Sequence, residues 1–151
     1  MMHIRYLQKE DRAFWFQLDR HLPAREFERK IRDRMGYVIL EDQQPIGLLR
    51  YHLFWDSIPF CSMLFIKADA QRKGYGKALL AHWEKDMESE GYQMVMTSTQ
   101  ANETAQHFYR KCGYRDAGSL LINLPPCAQP LELFLIKAIS NDAEKIKENS
   151  R

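Results

Sequence analysis

A short basic turn with two glycines joins a predicted strand to a predicted helix near the middle of this 151-residue chain. The strand ends near Ile66, and the helix has apolar residues at helical spacing from Leu79 to Met87. The turn between them consists of Gln71, Arg72, Lys73, Gly74, Tyr75, Gly76 and Lys77. Glycine permits backbone conformations that other residues avoid, and a helix start offers unpaired N–H donors and a positive dipole end. The pattern therefore predicts an anion site, the alternative being a loop that is merely made tight by glycine.

Two known phosphate-binding patterns do not fit this turn. A dinucleotide-binding Gly-x-Gly-x-x-Gly motif would need a third glycine where Leu79 stands. A P-loop would need a glycine five residues before Gly76, and a Ser or Thr after Lys77, which is followed by Ala78. A nucleotide- or phosphosugar-binding enzyme is therefore a weak alternative.

Hydrophobic periodicity and turn residues predict the element order β-α-α-β-β-β-α-β-α-β-β. The predicted strands are His3–Gln8, Tyr37–Glu41, Ile46–Trp55, Phe60–Ile66, a strand containing Met94–Met96, Ala117–Asn123 and Leu131–Ala138. The predicted helices are Glu10–Arg20, a segment from Pro23 to Met35, a helix that follows the glycine turn and ends at Gly91, and Asn102–Cys112. This order is typical of an α+β fold, and the strands that flank the crossover helix are expected to be parallel. One domain is expected over residues 1–139, followed by a polar C-terminal tail over 140–151.

A second pattern lies in the predicted helix that follows the strand containing Met94–Met96. It reads Asn102-x-x-Ala105-x-x-Phe108-Tyr109-x-x-x-Gly113-Tyr114. Together with Gln71-x-x-Gly74-x-Gly76, it resembles the two signature segments of the GCN5-related N-acetyltransferase (GNAT) superfamily. The resemblance extends over the element order from about His3 to Ala138. It implies a GNAT-type acyl-CoA N-acyltransferase fold, which is α/β sandwich-like: a mixed, mostly antiparallel sheet with a central splayed parallel strand pair, and helices on both faces.

The resemblance also implies acetyl-CoA as the cosubstrate, lying between the strand with Leu64–Ile66 and the strand with Met94–Ser98. Backbone groups of Leu64, Phe65, Ile66 and the following Lys67 would hold the pantetheine arm and the thioester carbonyl. Backbone N–H groups of the glycine turn, from Arg72 to Lys77, would hold the pyrophosphate.

Two further roles follow from the second signature. Asn102 would contact the pantetheine arm, and Tyr109 would protonate the leaving CoA thiolate. The chemistry implied is direct attack by an amine on the thioester, for which no metal is required. Both residues have structural alternatives, since Asn102 is also a good helix N-cap and Tyr109 is also a good packing aromatic.

The general base departs from the family pattern. Many members have a Glu two positions before the residue that matches Leu64, whereas this sequence has Ser62, which cannot deprotonate an ammonium group at neutral pH. Asp56 is the leading candidate, directly or through water, because Phe54-Trp55-Asp56 would form an aromatic and acidic rim for a cationic amine. Its alternative reading is a turn residue. Glu132 and Glu41 are weaker candidates, and His52 and His107 are interpreted as surface or structural histidines.

Charge and cysteine content exclude several classes of protein. The chain has 22 Lys and Arg against 20 Asp and Glu, a net charge of +2, which is too balanced for a nucleic-acid-coating protein. The three cysteines form no C-x-x-C pair, so a disulfide framework or zinc ribbon is not expected. No signal peptide and no membrane-spanning stretch is apparent, and a cytoplasmic location is predicted.

An acetyl-CoA-dependent N-acetyltransferase acting on a primary amine is the leading hypothesis for the function. The amine, of a small molecule or of a peptide, is not encoded in either motif, and homodimers are common among related folds. The alternative is a non-catalytic acyl-CoA sensor or interaction domain of the same fold, suggested by the missing carboxylate at Ser62.

Overall fold

The structure is a computed structural model that describes residues 1–140. Its strands are β1 (Met2–Tyr6), β2 (Gly36–Glu41), β3 (Gln44–Phe54), β4 (Ile58–Ile66), β5 (Met94–Gln100), β6 (Arg115–Leu120) and β7 (Glu132–Ala138). Its helices are α1 (Arg12–Leu18), α2 (Ala24–Arg32), α3 (Tyr75–Ser89) and α4 (Ala105–Lys111). From residue 141 onward the predicted polar tail lies outside the described residues, and the single domain over 1–139 stays a prediction.

The described chain forms two compact units, one from residues 1–52 and 61–84, the other from residues 53–60 and the chain from Lys85 onward. In the first unit the strand order is β1-β2-β3-β4. β1 pairs antiparallel with β2, from Met2 opposite Glu41 to Tyr6 opposite Tyr37, and β2 pairs antiparallel with β3. The β2–β3 turn is tight because Asp42 and Gln43 both have positive φ, 49° and 67°.

Helices cover both faces of the sheet in the first unit, as predicted. On one face, Trp15 of α1 and Phe27 of α2 are fully buried and pack in one cluster with Val38 and Leu48. On the other face lies α3, whose His82 ring contacts Tyr37 at 5.7 Å between centroids, while Trp83 contacts Tyr51 at 5.8 Å. The alternation of side chains along β2 and β3 therefore supplies both cores.

In the second unit the strand order is β5-β7-β6. β5 and β7 pair antiparallel over their full length, from Met94 opposite Ala138 to Gln100 opposite Glu132. Phe60, near the start of β4, packs edge-on against Phe134 of β7 at 5.9 Å. These strands complete a mixed seven-stranded α+β sheet, so the predicted fold class is confirmed.

Two helices begin at a later residue than predicted. The segment predicted as Glu10–Arg20 opens with a 3-10 turn over Lys9–Asp11 and becomes α-helical only at Arg12. The helix predicted from Asn102 begins at Ala105, because residues 101–104 form a turn in which the Glu103 N–H donates to Gln100 O at 3.0 Å. Thr104 is the N-cap of α4, so the reading of Asn102 as an N-cap is wrong.

Candidate active site

The glycine turn connects the end of β4 to the start of α3 within the first unit. After Ile66 the chain makes a 3-10 turn over Ala68–Ala70 and then runs to Tyr75, where α3 begins. The Gln71 side chain fixes this path, since its Nε2 donates a hydrogen bond to the Ile66 carbonyl at 2.8 Å. Gly74 has φ +85°, and a Cβ placed on it would meet no atom within 4 Å. The turn is therefore held in place at Gln71 and is open to solvent at Gly74.

The electrostatics of the turn favour an anion. Arg72, Lys73 and Lys77 are exposed, and none of them forms an ion pair with any residue between 1 and 140. The first backbone N–H groups of α3 have no partner within the helix, and the first such bond is from Ala78 N–H to Gly74 O at 3.0 Å. Unpaired N–H donors, the helix dipole and three cations thus coincide at one turn.

Tyr75 ties the start of α3 to the end of β2. Its hydroxyl donates to Glu41 Oε2 at 3.1 Å, and this bond to the carboxylate raises the pKa of Tyr75. Glu41, one of the weaker base candidates, is therefore engaged by Tyr75.

The end of β4 lies close to β3 at a glycine. Among the predicted pantetheine-binding residues, Leu64 is half-buried, Phe65 is exposed and Ile66 is buried. A Cβ on Gly47 would stand 2.9 Å from the Phe65 carbonyl oxygen and would overlap Ile66 Cδ1. The Lys67 N–H donates to Ile46 O at 2.8 Å, which holds the strand end in this position.

Tyr109 and Asn102 belong to the second unit. The Tyr109 ring is 6% exposed and makes edge-on contacts with Phe108 and Tyr114, at 5.2 and 5.5 Å between centroids. The Tyr114 N–H donates to the Tyr109 carbonyl at 3.0 Å, which closes the end of α4. Asn102 is exposed in the turn before α4.

Asp56 lies in the β3–β4 turn, also in the second unit. It and Trp55 both have positive φ, 59° and 53°, and Trp55 is 78% exposed. The Trp55 ring lies 4.7 Å from that of the half-buried Phe54, so one exposed and one half-buried aromatic ring stand beside an exposed carboxylate. Glu132 is half-buried on β7 and accepts a hydrogen bond from Gln129 Nε2 at 3.3 Å.

Sequence reasoning missed one pair of polar side chains. His52 Nδ1 lies 2.6 Å from Ser62 Oγ, the residue at the position where the resemblance places a Glu. Partial burial, together with the charges of Lys30 and Arg50, lowers the pKa of His52. The predicted hairpin could have indicated this pair, because positions 52 and 62 are equally distant from the turn at Ser57 and so face each other across the two strands.

Two kinds of feature were not found among the described residues. Between residues 1 and 140 no cluster of three or more His, Cys, Asp or Glu side chains is arranged to hold a metal ion. Over the same stretch, no helix has both the length and the apolar character needed to cross a membrane.

Comparison with known proteins places the chain in a recognised fold. A family model described as "Acetyltransferase (GNAT) family" matches residues 4–114. The ribosomal-protein-S18-alanine N-acetyltransferase from Escherichia coli is similar at TM-score 0.78 and 18% identity, over 93% of this chain and 95% of that one. An N-acetyltransferase from Staphylococcus aureus Mu50 has TM-score 0.77 and 19% identity, over 93% and 99%.

A third similar structure is N-acetylglutamate synthase from Neisseria gonorrhoeae, complexed with coenzyme A and N-acetyl-glutamate. Its TM-score is 0.72 at 17% identity, over 93% of this chain and 35% of that one. A search of curated proteins gave no match.

Proposed function

Because the chain belongs to the acetyltransferase (GNAT) family, we propose that it transfers the acetyl group of acetyl-CoA to a primary amine. The observation that carries this proposal is the glycine turn, held to the end of β4 by the bond from Gln71 to the Ile66 carbonyl. The similar N-acetylglutamate synthase was solved with coenzyme A, which supports a CoA thioester as the acyl donor.

The residues of the turn fit the pyrophosphate of acetyl-CoA. Its negative charges would meet the N–H groups from Arg72 to Lys77 and the side chains of Arg72, Lys73 and Lys77. The open space above Gly74 leaves room for phosphate oxygens to approach the backbone. The pantetheine arm would run along the backbone of Leu64, Phe65 and Ile66 and contact Asn102.

The proposed reaction is a direct attack in a ternary complex. The amine nitrogen forms a bond to the thioester carbon, the C–S bond breaks, and the amine loses one proton. Tyr109 gives its hydroxyl proton to the departing thiolate, which yields free CoA, and the Tyr109 phenolate regains a proton from water. Asp56, with Trp55 beside it, would attract the cationic amine to the exposed rim and take up its proton directly or through water.

The acceptor can be a small molecule or a peptide, and the similar structures include both kinds, an S18-alanine enzyme and an N-acetylglutamate synthase. The proposal includes a cytoplasmic location, no nucleic-acid or membrane partner, and a homodimer as an option. Cys61, Cys112 and Cys127 form no disulfide among residues 1–140, which suits a reducing compartment.

A CoA-release assay tests the proposal. The protein is mixed with acetyl-CoA and a panel of polyamines, aminoglycosides, amino acids, lysine side chains and peptide N-termini. We expect release with at least one class of amine and saturable acetyl-CoA binding below millimolar concentration. Failure of acetyl-CoA to bind at millimolar concentration would contradict the proposal.

Tyr109→Phe separates the enzyme from the alternative acyl-CoA sensor. With the proton donor removed, kcat should fall by about 100-fold or more, with acetyl-CoA affinity kept within roughly twofold. Tyr92→Phe, on the loop after α3, is the matched control and should leave kcat unchanged. Saturable binding without turnover of any amine by the parent protein would favour the sensor.

A further inference from the structure

The hydrogen-bonded pair of His52 and Ser62 stands at the point where the acid–base chemistry lacks a carboxylate. His52 lies near the end of β3 and Ser62 in β4, and 2.6 Å separates Nδ1 from Oγ. Ser62 is half-buried, while His52 keeps enough exposure to exchange a proton with solvent. When the Ser62 hydroxyl donates this bond, Nδ1 is the accepting atom and Nε2 carries the ring hydrogen.

Two cations act on the imidazole, one from α2 and one from its own strand β3. Lys30 of α2 donates to the Tyr51 carbonyl at 2.7 Å, and Arg50 precedes His52 on the same strand. Arg50 is paired with the buried Asp19 at 2.7 Å. Burial lowers the pKa of His52, and the charges of Lys30 and Arg50 lower it further. The lowered pKa favours the neutral form of His52, which is able to accept a proton.

We propose that Ser62 and His52 together accept the proton that the acceptor amine loses, in place of the missing Glu. This inference rests on the proposed function. The cationic amine first gives one proton to water. As the neutral amine attacks, a second N–H bond breaks and its proton passes to Ser62 Oγ, while the proton of Oγ passes to His52 Nδ1. The products are a neutral amide, a restored serine hydroxyl and an imidazolium, which returns its proton to water. The pair thus takes over from Asp56 the part of proton acceptor, and Asp56 keeps the part of attracting the amine. The bond to His52 gives Ser62 the basicity it lacks alone.

The test compares Ser62→Ala, His52→Gln, the double variant and Asp56→Asn, with His3→Gln of β1 as the matched control. Each single change in the pair should lower kcat by about 100-fold, the low end of general-base effects, with the KM for acetyl-CoA changed by less than roughly twofold. The double variant should lose no more than either single variant, because the two side chains act as one unit. Asp56→Asn should raise the KM of the amine more than it lowers kcat.

The pH profile of kcat/KM distinguishes a role of His52 in proton transfer from a purely structural role, because only the former changes the profile. In the parent, kcat/KM should fall as the pH drops through a pKa below 6.5, the ordinary value for histidine, and this acidic limb should disappear in His52→Gln. Histidine NMR titration of the parent and of Ser62→Ala should assign that pKa to His52, and the thermal midpoints of all variants check their folding. Activity of His52→Gln near the parent value with the acidic limb intact, or additive losses in the double variant, would overturn the proposal. If the parent releases no CoA with any amine, the proposed function itself fails.

Discussion

The carboxylate of Asp19 is fully buried at the end of α1 and is satisfied by three donors. Arg50 Nε donates to it at 2.7 Å, Trp15 Nε1 at 3.1 Å and the His21 N–H at 3.1 Å. The ion pair joins the α1–α2 connection to β3, one residue before Tyr51 and two before His52. A buried charge of this kind is tolerated only while its partners are in place.

Asp19→Asn should destabilise the protein by about 3–5 kcal/mol, because it leaves the guanidinium of Arg50 in a site of low exposure without its counter-charge. Urea denaturation followed by tryptophan fluorescence measures the loss.

Glu26→Gln is the control for Asp19→Asn, since the Glu26–Arg29 pair lies on the surface of α2 with the Arg29 side chain 58% exposed. Its cost should not exceed about 1 kcal/mol. Equal losses in the two variants would show that the Asp19 pair contributes no more than a surface pair.

The end of β4 is positioned by the close approach of β3 at Gly47. No side chain fits there, because a Cβ would press on the Phe65 carbonyl oxygen and on Ile66. The same strand end accepts the Gln71 hydrogen bond that fixes the glycine turn. The geometry of the proposed pantetheine site therefore depends on a glycine that neither signature segment includes.

Gly47→Ala should destabilise the protein by about 1–3 kcal/mol and raise the KM for acetyl-CoA, because the strand end must move away from the added methyl group. The two quantities are measured by urea denaturation and by the CoA-release assay.

Gly91→Ala provides the comparison, because Gly91 has φ +93° and open space around it. It should cost about 1–2 kcal/mol through backbone strain and leave the KM for acetyl-CoA unchanged. If the KM for acetyl-CoA is unchanged in both variants, Gly47 does not contribute to cofactor binding.

Local patterns predicted the elements well, and tertiary contacts explain the differences. The strand–turn–helix around Gln71–Lys77 was predicted because glycine, charge and apolar spacing are all local. Two side-chain pairs were not predicted. The pair His52–Ser62 depends on the register of two strands. The pair Asp19–Arg50 joins residues that are 31 positions apart in the sequence. The start of α4 moved from Asn102 to Ala105 because a turn over 101–104 competes with the first helical turn.

At the scale of the whole molecule, a net charge of +2 conceals an uneven distribution. Arg72, Lys73 and Lys77 are clustered at one turn, whereas cations such as Arg5 and Arg110 are paired with Asp11 and Asp116. Composition argued against a nucleic-acid-coating protein, whereas only the motif predicted an anion site at this turn.

Acetyl-CoA should stabilise the protein against thermal unfolding, by about 2.7 kcal/mol at a concentration of 100 times its Kd. Because the proposed pyrophosphate site includes the cations of the glycine turn, the Kd should rise with salt. Thermal-shift titrations at low and high salt measure both effects.

Pantetheine lacks the pyrophosphate and is the matched ligand for this titration. Its binding should be weaker and nearly insensitive to salt. Equal salt dependence for the two ligands would contradict a pyrophosphate site at the turn.

β6 closes the second unit's end of the sheet, and all six of its residues are exposed. Its pairing with β7 is broken between Asp116 and Ser119, and Gly118 within the break has φ +106°. An outermost strand with free N–H and C=O groups is ordinarily a template on which strands of other molecules add and aggregate. A kinked strand that carries Arg115 and Asp116 offers no straight row of such groups, so this irregularity protects the protein from fibre-like self-association.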